Sequence, residues 1–157
     1  ILPEDAIANF EEIIEFANKR LNKISDGRYV MIVNTEKESN RGAKGLDIDI
    51  YDAYTGKSRP CNTLSGGETF MASISLALAI SDTVQSRKGG IQLDSLFIDE
   101  GFWSLDENSL EQAISILDEI RDSRKIGIIS HVGDLKTRIK SSIEIEKSTS
   151  GSKIILI

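Results

Sequence analysis

The run FMASISLALAI, Phe70–Ile80, is apolar or small almost all the way round a helix. Such a helix cannot lie on a surface with one face in water; it has to be buried on several sides. A core must therefore be assembled around it from the rest of the chain. The residues that open it, NTLSGGETF, add a second constraint. Ser65 and Glu68 form an S-x-x-E capping box, in which each side chain satisfies a backbone N–H at the helix start. The two intervening glycines have no Cβ, so a bulky anion could approach first-turn N–H groups carrying the positive end of the helix dipole. A capping box alone does not call for that cleared space. From this segment, capping and anion binding both stand.

The flanking segments predict an α/β fold. PEDAIANFEEIIEFANKRLNKIS reads as a helix, with Pro3 in its first turn and Ile7, Phe10, Ile14, Ala17 and Leu21 at three- and four-residue spacing. Its other face is charged; Lys19, Arg20 and Lys23 form a basic patch or a solvated face. DGRY breaks it. YVMIVNT and GLDIDIYDAY, the latter alternating Leu46, Ile48 and Ile50 against Asp47 and Asp49, predict an antiparallel hairpin across the polar turn EKESNRGAKG. TGKSRPCNT is expected to be a loop, and RKGG to end the apolar helix. Leu96-Phe97-Ile98 has the continuous apolar character of a strand buried on both faces. ENSLEQAISILDEIRDS predicts an amphipathic helix with Leu110, Ile114, Leu117 and Ile120 on one side. KIGIIS is a short buried strand, VGDLKTRI a turn or two of helix, and SSIEIEK and SKIILI a closing pair of strands. Strand, helix, strand in the second half predicts a parallel core sheet.

Composition limits the partners. With 157 residues the chain is one domain or a large piece of one, and its start at Ile1 predicts a fragment of something longer. A net charge of -6 argues against this piece alone gripping nucleic acid through counterion release. Cys61 is the only cysteine, which excludes an internal disulfide or a cysteine-rich zinc site and suits a reducing, cytoplasmic setting. No apolar stretch approaches the ~20 residues of a membrane span.

Two further segments carry chemistry. Asp99 and Glu100 end the LFIDE strand, at the carboxyl edge where open α/β sheets place ligands. Consecutive strand residues face opposite ways, so one carboxylate could hold Mg²⁺ while the other serves as general base; the plain alternative is a pair of solvated loop acids. His131 follows KIGIIS at another strand end and is either a surface residue or part of the same edge. TGKS, Thr55–Ser58, imitates the end of a phosphate loop, but Tyr51 stands where its first glycine belongs and Arg59-Pro60 follows in place of a helix. The chain thus holds a helix dipole, acids and a histidine without a phosphate cradle.

The order LSGGE, FIDEGF, SLDENSL, IISH resembles the C-terminal half of an ABC-type ATPase head: signature motif, Walker B, D-loop and switch histidine. SDGRY, GLDIDIYDAYTGKSRP and the glycine after the Walker B glutamate are most similar to the bacterial SbcC nuclease-complex ATPases, relatives of the SMC proteins. ABC transporters usually have proline at that glycine. The resemblance runs from about Ser25 to the end. It implies that residues 1–25 are the stump of a returning coiled-coil helix and 26–157 the C-terminal ATPase lobe, a parallel core sheet flanked by helices with an added antiparallel hairpin. An N-terminal segment would carry the Walker A lysine. Two heads would sandwich two Mg·ATP, and an SbcD-type nuclease partner would process DNA ends and hairpins in repair. The ATP-binding set acting in trans would be Leu64, Ser65, Gly66, Gly67 and Glu68, with Ser65 and Gly67 on the γ-phosphate. Asp99 would hold Mg²⁺, Glu100 would polarise water, His131 would sense the γ-phosphate, and Ser104, Leu105 and Asp106 would form the D-loop. Trp103 departs from the glycine usual in the family, and would pack against the partner head or fill a local gap.

Three rival readings remain at this point. A condensin-like SMC ATPase would share the chemistry without the nuclease, and a degenerate head would tether DNA without hydrolysis. A phosphorylated receiver domain would explain the strand-end acids but leave LSGG unexplained.

Overall fold

The computed structural model describes residues 4–34, 47–86, 95–121, 124–139, 141–149 and 151–156, with side chains from residue 9 onward. Pro3, the Ile7 side chain, Leu46, the predicted EKESNRGAKG turn and the RKGG stop lie outside the described residues. The elements are α1 (Glu4–Ile24), β1 (Tyr29–Asn34), β2 (Asp47–Asp52), β3 (Lys57–Pro60), α2 (Gly66–Ser86), β4 (Ser95–Asp99), α3 (Glu107–Arg121), β5 (Lys125–Ile129), α4 (Gly133–Arg138), β6 (Ile143–Ser148) and β7 (Gly151–Leu156). The fold is mixed α/β, as the periodicities predict.

α1 places Ile14, Ala17, Leu21 and Ile24 in the core, against α2 and β1. Each isoleucine or leucine among them contributes roughly 1.5–3 kcal/mol by leaving water. Asn18 reaches from α1 to β1, donating to the Met31 carbonyl at 2.9 Å and accepting from its N–H at 2.7 Å. A side chain thus replaces a neighbouring strand there. Asp26 and Gly27, with φ of 50° and 78°, end the helix in left-handed conformation, and the Gly27 N–H closes onto Asn22 O at 2.7 Å.

β1 and β2 pair antiparallel, with Met31 opposite Ile50 and Val33 opposite Ile48, so the predicted alternation does select the core face. The expected TGKSRPCNT loop is different. Its Lys57–Pro60 stretch is a third strand on the free edge of β2, with Arg59 opposite Ile50 and Pro60 opposite Asp49. Only Ala53 to Gly56 turn, and Cys61–Thr63 form one 3-10 turn. Pro60 misled the sequence reading: proline is tolerated on an edge strand, where no ladder N–H is demanded of it.

α2 buries Met71, Ile74, Ser75, Leu78 and Ala79, and leaves open only a stripe through Ser73, Ala77, Ile80 and Val84. Its C-terminal end is held by Arg124, a buried residue just before β5. The guanidinium donates to Ser81 Oγ at 2.9 Å, Asp82 Oδ1 at 2.7 Å and Gln85 Oε1 at 2.6 Å, while Arg20 of α1 pairs with the other Asp82 oxygen.

β4 and β5 pair parallel, Phe97 opposite Gly127 and Asp99 opposite Ile129. Leu96, Ile98, Ile126 and Ile128 pack on the core. The other face contradicts the expectation of a strand buried on both sides. Phe97 is 75% exposed and lies across Gly127, and Ile129 is also exposed. The apolar triplet is the signature of a sheet covered twice, but only one cover lies among the described residues. α3 buries Leu110, Ala113, Ile116 and Leu117, with Ile114 and Ile120 half-buried at the rim. The closing strands pair antiparallel as expected, and their register puts exposed Ile143, Ile145, Ile154 and Leu156 together on one face.

Candidate functional site

Ser65 lies between the 3-10 turn at Cys61–Thr63 and the first turn of α2, exposed. The capping box is present and uneven. The Ser65 N–H donates to Glu68 Oε2 at 2.7 Å, whereas the Glu68 N–H reaches Ser65 Oγ only at 3.4 Å. The other Glu68 oxygen accepts from Tyr29 Oη at 2.6 Å and pairs with Arg59 Nη2 at 2.8 Å. Burial pushes the Glu68 carboxyl up, but the hydrogen bonds from Tyr29, Ser65 and Arg59 together outweigh it and bring it down to about 2. Burial and the adjacent carboxylate hold the Tyr29 phenol above its ordinary range. Glu68 is therefore a carboxylate and Tyr29 a neutral donor across the working range of pH.

The two glycines differ in what they permit. A Cβ on Gly66 would make only ordinary contact with Ser104 Cβ, at 3.5 Å. On Gly67 it would sit 2.5 Å from the Ser104 carbonyl oxygen. The second glycine is thus needed for a close backbone approach inside the chain, a requirement separate from any room for an anion. It locks the opening of α2 against the Phe102–Ser104 turn. An open cleft of about 320 Å³ borders both, lined by Tyr29, Ser65, Gly67, Glu68, Ser104 and Asp106. Asp106 caps α3, accepting from Ser109 N at 2.8 Å and Ser109 Oγ at 3.0 Å. The Ser109 backbone N–H, foremost, lowers its carboxyl below the usual range.

At the carboxyl ends of β4 and β5 the backbone turns sharply. Glu100 has φ 62° and donates its N–H to Ile129 O at 2.8 Å. Non-glycine residues held there are strained and concentrate at functional sites. Gly101 follows at φ 98°, with the Phe70 ring 2.1 Å from where a Cβ would stand. Proline, restricted to φ near −65°, cannot occupy this position. The glycine that separates this chain from the transporter pattern thus follows from backbone geometry. Gly101→Ala is expected to lower stability by about 1–3 kcal/mol through strain and displacement of Phe70, read as a fall in thermal midpoint. An unchanged midpoint would show that the Phe70–Phe102 pair, 4.8 Å between centroids, yields easily.

His131 meets Glu100 at this edge, its Nδ1 3.0 Å from Oε2 and 3.2 Å from Oε1. Asp99 is exposed beside them. Among the described residues no three His, Cys, Asp or Glu side chains converge into a metal cage. A single strand-end carboxylate still suits Mg²⁺, which keeps several waters and takes one or two carboxylates plus substrate phosphates. Trp103 is 64% exposed, so its indole does not fill a gap among the described residues.

The structure therefore gathers the predicted residues into two groups, Leu64–Glu68 with Ser104–Asp106, and Asp99–Glu100 with His131. Sequence reading missed Tyr29 and Arg59. Both stand in quoted stretches, SDGRY and KSRP, but nothing local tied either to Glu68.

Residues 38–119, just over half of the chain, match the family model described as "SbcC/RAD50-like, Walker B motif". The chain is 59% identical over 150 residues to a Treponema pallidum protein named as the SbcC component of the nuclease SbcCD, covering 95% of this chain and 14% of that one. A protein of the same name from Lactococcus lactis is 45% identical over 142 residues, again 14% of its length. The chain thus spans about a seventh of these curated relatives. A solved SMC ATPase structure, from work on ATP-driven dimerization and DNA-stimulated activation, superposes with a TM-score of 0.74 at 17% identity, covering 98% of this chain and 88% of that one. No helix among the described residues is long and apolar enough to cross a membrane. On the family match and the motifs it spans, this chain belongs to the SbcC/RAD50-like Walker B family.

Proposed function

We propose that this chain is the C-terminal lobe of an ATP-hydrolysing head, completed by an N-terminal segment that carries the Walker A loop, with residues 1–25 leading into a coiled coil. The observation that carries this is the open side of the β4–β5 pair. Phe97 and Ile129 lie bare on it, and Asp99 ends it at the carboxyl edge. Parallel strands are stable when both faces are covered, and apolar surface of this kind marks an interaction site. A segment docked there brings its phosphate loop to Asp99 and Glu100. The apolar face of the β6–β7 hairpin offers it further contact.

In the assembled protein, two heads clasp two ATP molecules. Ser65 and Gly67 of one head face the γ-phosphate held by the other, on a loop shaped by Leu64, Gly66 and Glu68. Asp99 would hold Mg²⁺, which would neutralise phosphate charge when bound. Glu100 accepts a proton from the attacking water, and His131, paired with Glu100, senses the γ-phosphate. Ser104, Leu105 and Asp106 cross between the heads. Hydrolysis separates them, and the motion serves an SbcD-type nuclease acting on DNA ends and hairpins.

The test is reconstitution. The purified 157-residue chain is expected to show no ATPase activity, and to gain Mg²⁺-dependent turnover when co-expressed with the N-terminal segment of its own gene. Turnover by the chain alone would refute the split site.

A further inference from the structure

The Ser65 loop is held from outside α2. Arg59 straddles it: Nη1 donates to Thr63 O at 2.8 Å, before Ser65, and Nη2 pairs with Glu68 at 2.8 Å, after it. Tyr29 Oη donates to the same Glu68 oxygen at 2.6 Å. Tyr29 is on β1 and Arg59 on β3, the two strands flanking β2. The register, Tyr29 opposite Asp52 and Arg59 opposite Ile50, puts them on one side of the sheet, the side that carries buried Met31 and Ile50. Thr63 is tied in turn, its Oγ1 donating to Pro60 O at 2.7 Å.

An ordinary capping box would hold this loop with the Ser65 hydroxyl itself. Here that arm is stretched to 3.4 Å while the Glu68 arm is short. The shape of the loop thus depends chiefly on Arg59 and Tyr29 acting through Glu68, and the Ser65 oxygen, held by a long bond to the Glu68 N–H, can turn to another partner. A donor aimed at a phosphate is worth most when nothing has to reorganise as the phosphate arrives.

We propose that Tyr29 and Arg59 are positioning residues for ATP-dependent head engagement, holding Ser65 in phosphate-binding geometry through Glu68. This rests on the trans-acting role of Ser65 set out above. Neither residue touches the nucleotide; they act on the affinity of one head for the ATP carried by the other.

The experiment uses the full-length protein and measures three quantities: thermal midpoint, ATP binding to separated heads, and the ATP concentration giving half-maximal engagement and turnover. Tyr29→Phe removes one oxygen and keeps the ring. It is expected to leave ATP binding near wild type and the protein folded at the assay temperature while raising the half-maximal ATP concentration about 10–150-fold, the scale of one hydrogen bond to a charged group. Arg59→Ala should act in the same direction and more strongly. Arg59→Lys should restore part of the loss, because one ammonium can pair with Glu68 but cannot span to Thr63 as the planar fork does. Tyr29→Phe combined with Glu68→Gln should fall short of additivity, since both act on one network. Ser65→Arg is the control. If it blocks engagement while Tyr29→Phe and Arg59→Ala engage like wild type, the clamp is only structural and the proposal fails. If Ser65→Arg engages normally, the trans-acting role fails, and the proposal with it.

Discussion

Glu100→Gln in the full-length protein is expected to bind ATP as the wild type does and to turn it over about 10²–10⁴-fold more slowly, the usual worth of a positioned general base. Glutamine keeps the shape of the side chain and can still meet His131, which lies 3.0 Å from the carboxylate. The backbone at φ 62° and the N–H bond to Ile129 O involve no side-chain atom. Only proton acceptance is lost, so the defect should fall on the chemical step. Single-turnover hydrolysis beside equilibrium ATP binding separates the two, and engaged heads should accumulate with ATP. Undiminished single-turnover hydrolysis would remove Glu100 from the role of base.

Ser65→Arg should abolish ATP-dependent engagement, weakening it by about 100-fold or more, as expected for a residue at the centre of an interface. Ser65 is exposed and its own capping bond is long, so the cost to folding should stay near or below the ~1 kcal/mol typical of a lost N-cap. What changes is the surface shown to the second head: a long cation replaces a hydroxyl at an exposed position. Light scattering of the two-segment head in a Glu100→Gln background, with and without ATP, gives the answer. A dimer as strong as the unmodified one would show that the opening of α2 does not face a partner's nucleotide.

Helices α1, α2 and α3, the first hairpin and the closing strands were legible because each is written in near-neighbour spacing. Period 3.6 in α1 and α3 and period two in β2 survive whatever packs against them, and α2 is marked by its long apolar run. β3 was not legible, because Pro60 resembles a loop until an edge strand is there to receive it. The double burial inferred for Leu96-Phe97-Ile98 failed for a related reason: the apolar run records the cover a strand is made for, and that cover is not among the described residues. Of the two glycines in LSGG, sequence could say that something comes close. It could not say that at Gly67 the close neighbour is the Ser104 carbonyl.

On its own, then, the order of residues determined the classes of the main elements, the capping box at Ser65 and Glu68, and acids and a histidine at strand ends. These depend on side chains within a few positions of each other. Tertiary structure alone decided that Glu100 meets His131, that Trp103 stays outside the core, and that Tyr29 and Arg59 converge on Glu68. Those pairs are brought together by sheet register and helix packing across 9 to 39 positions of chain. No local pattern records contacts over such separations, because their free energy is gained only once the intervening chain has folded.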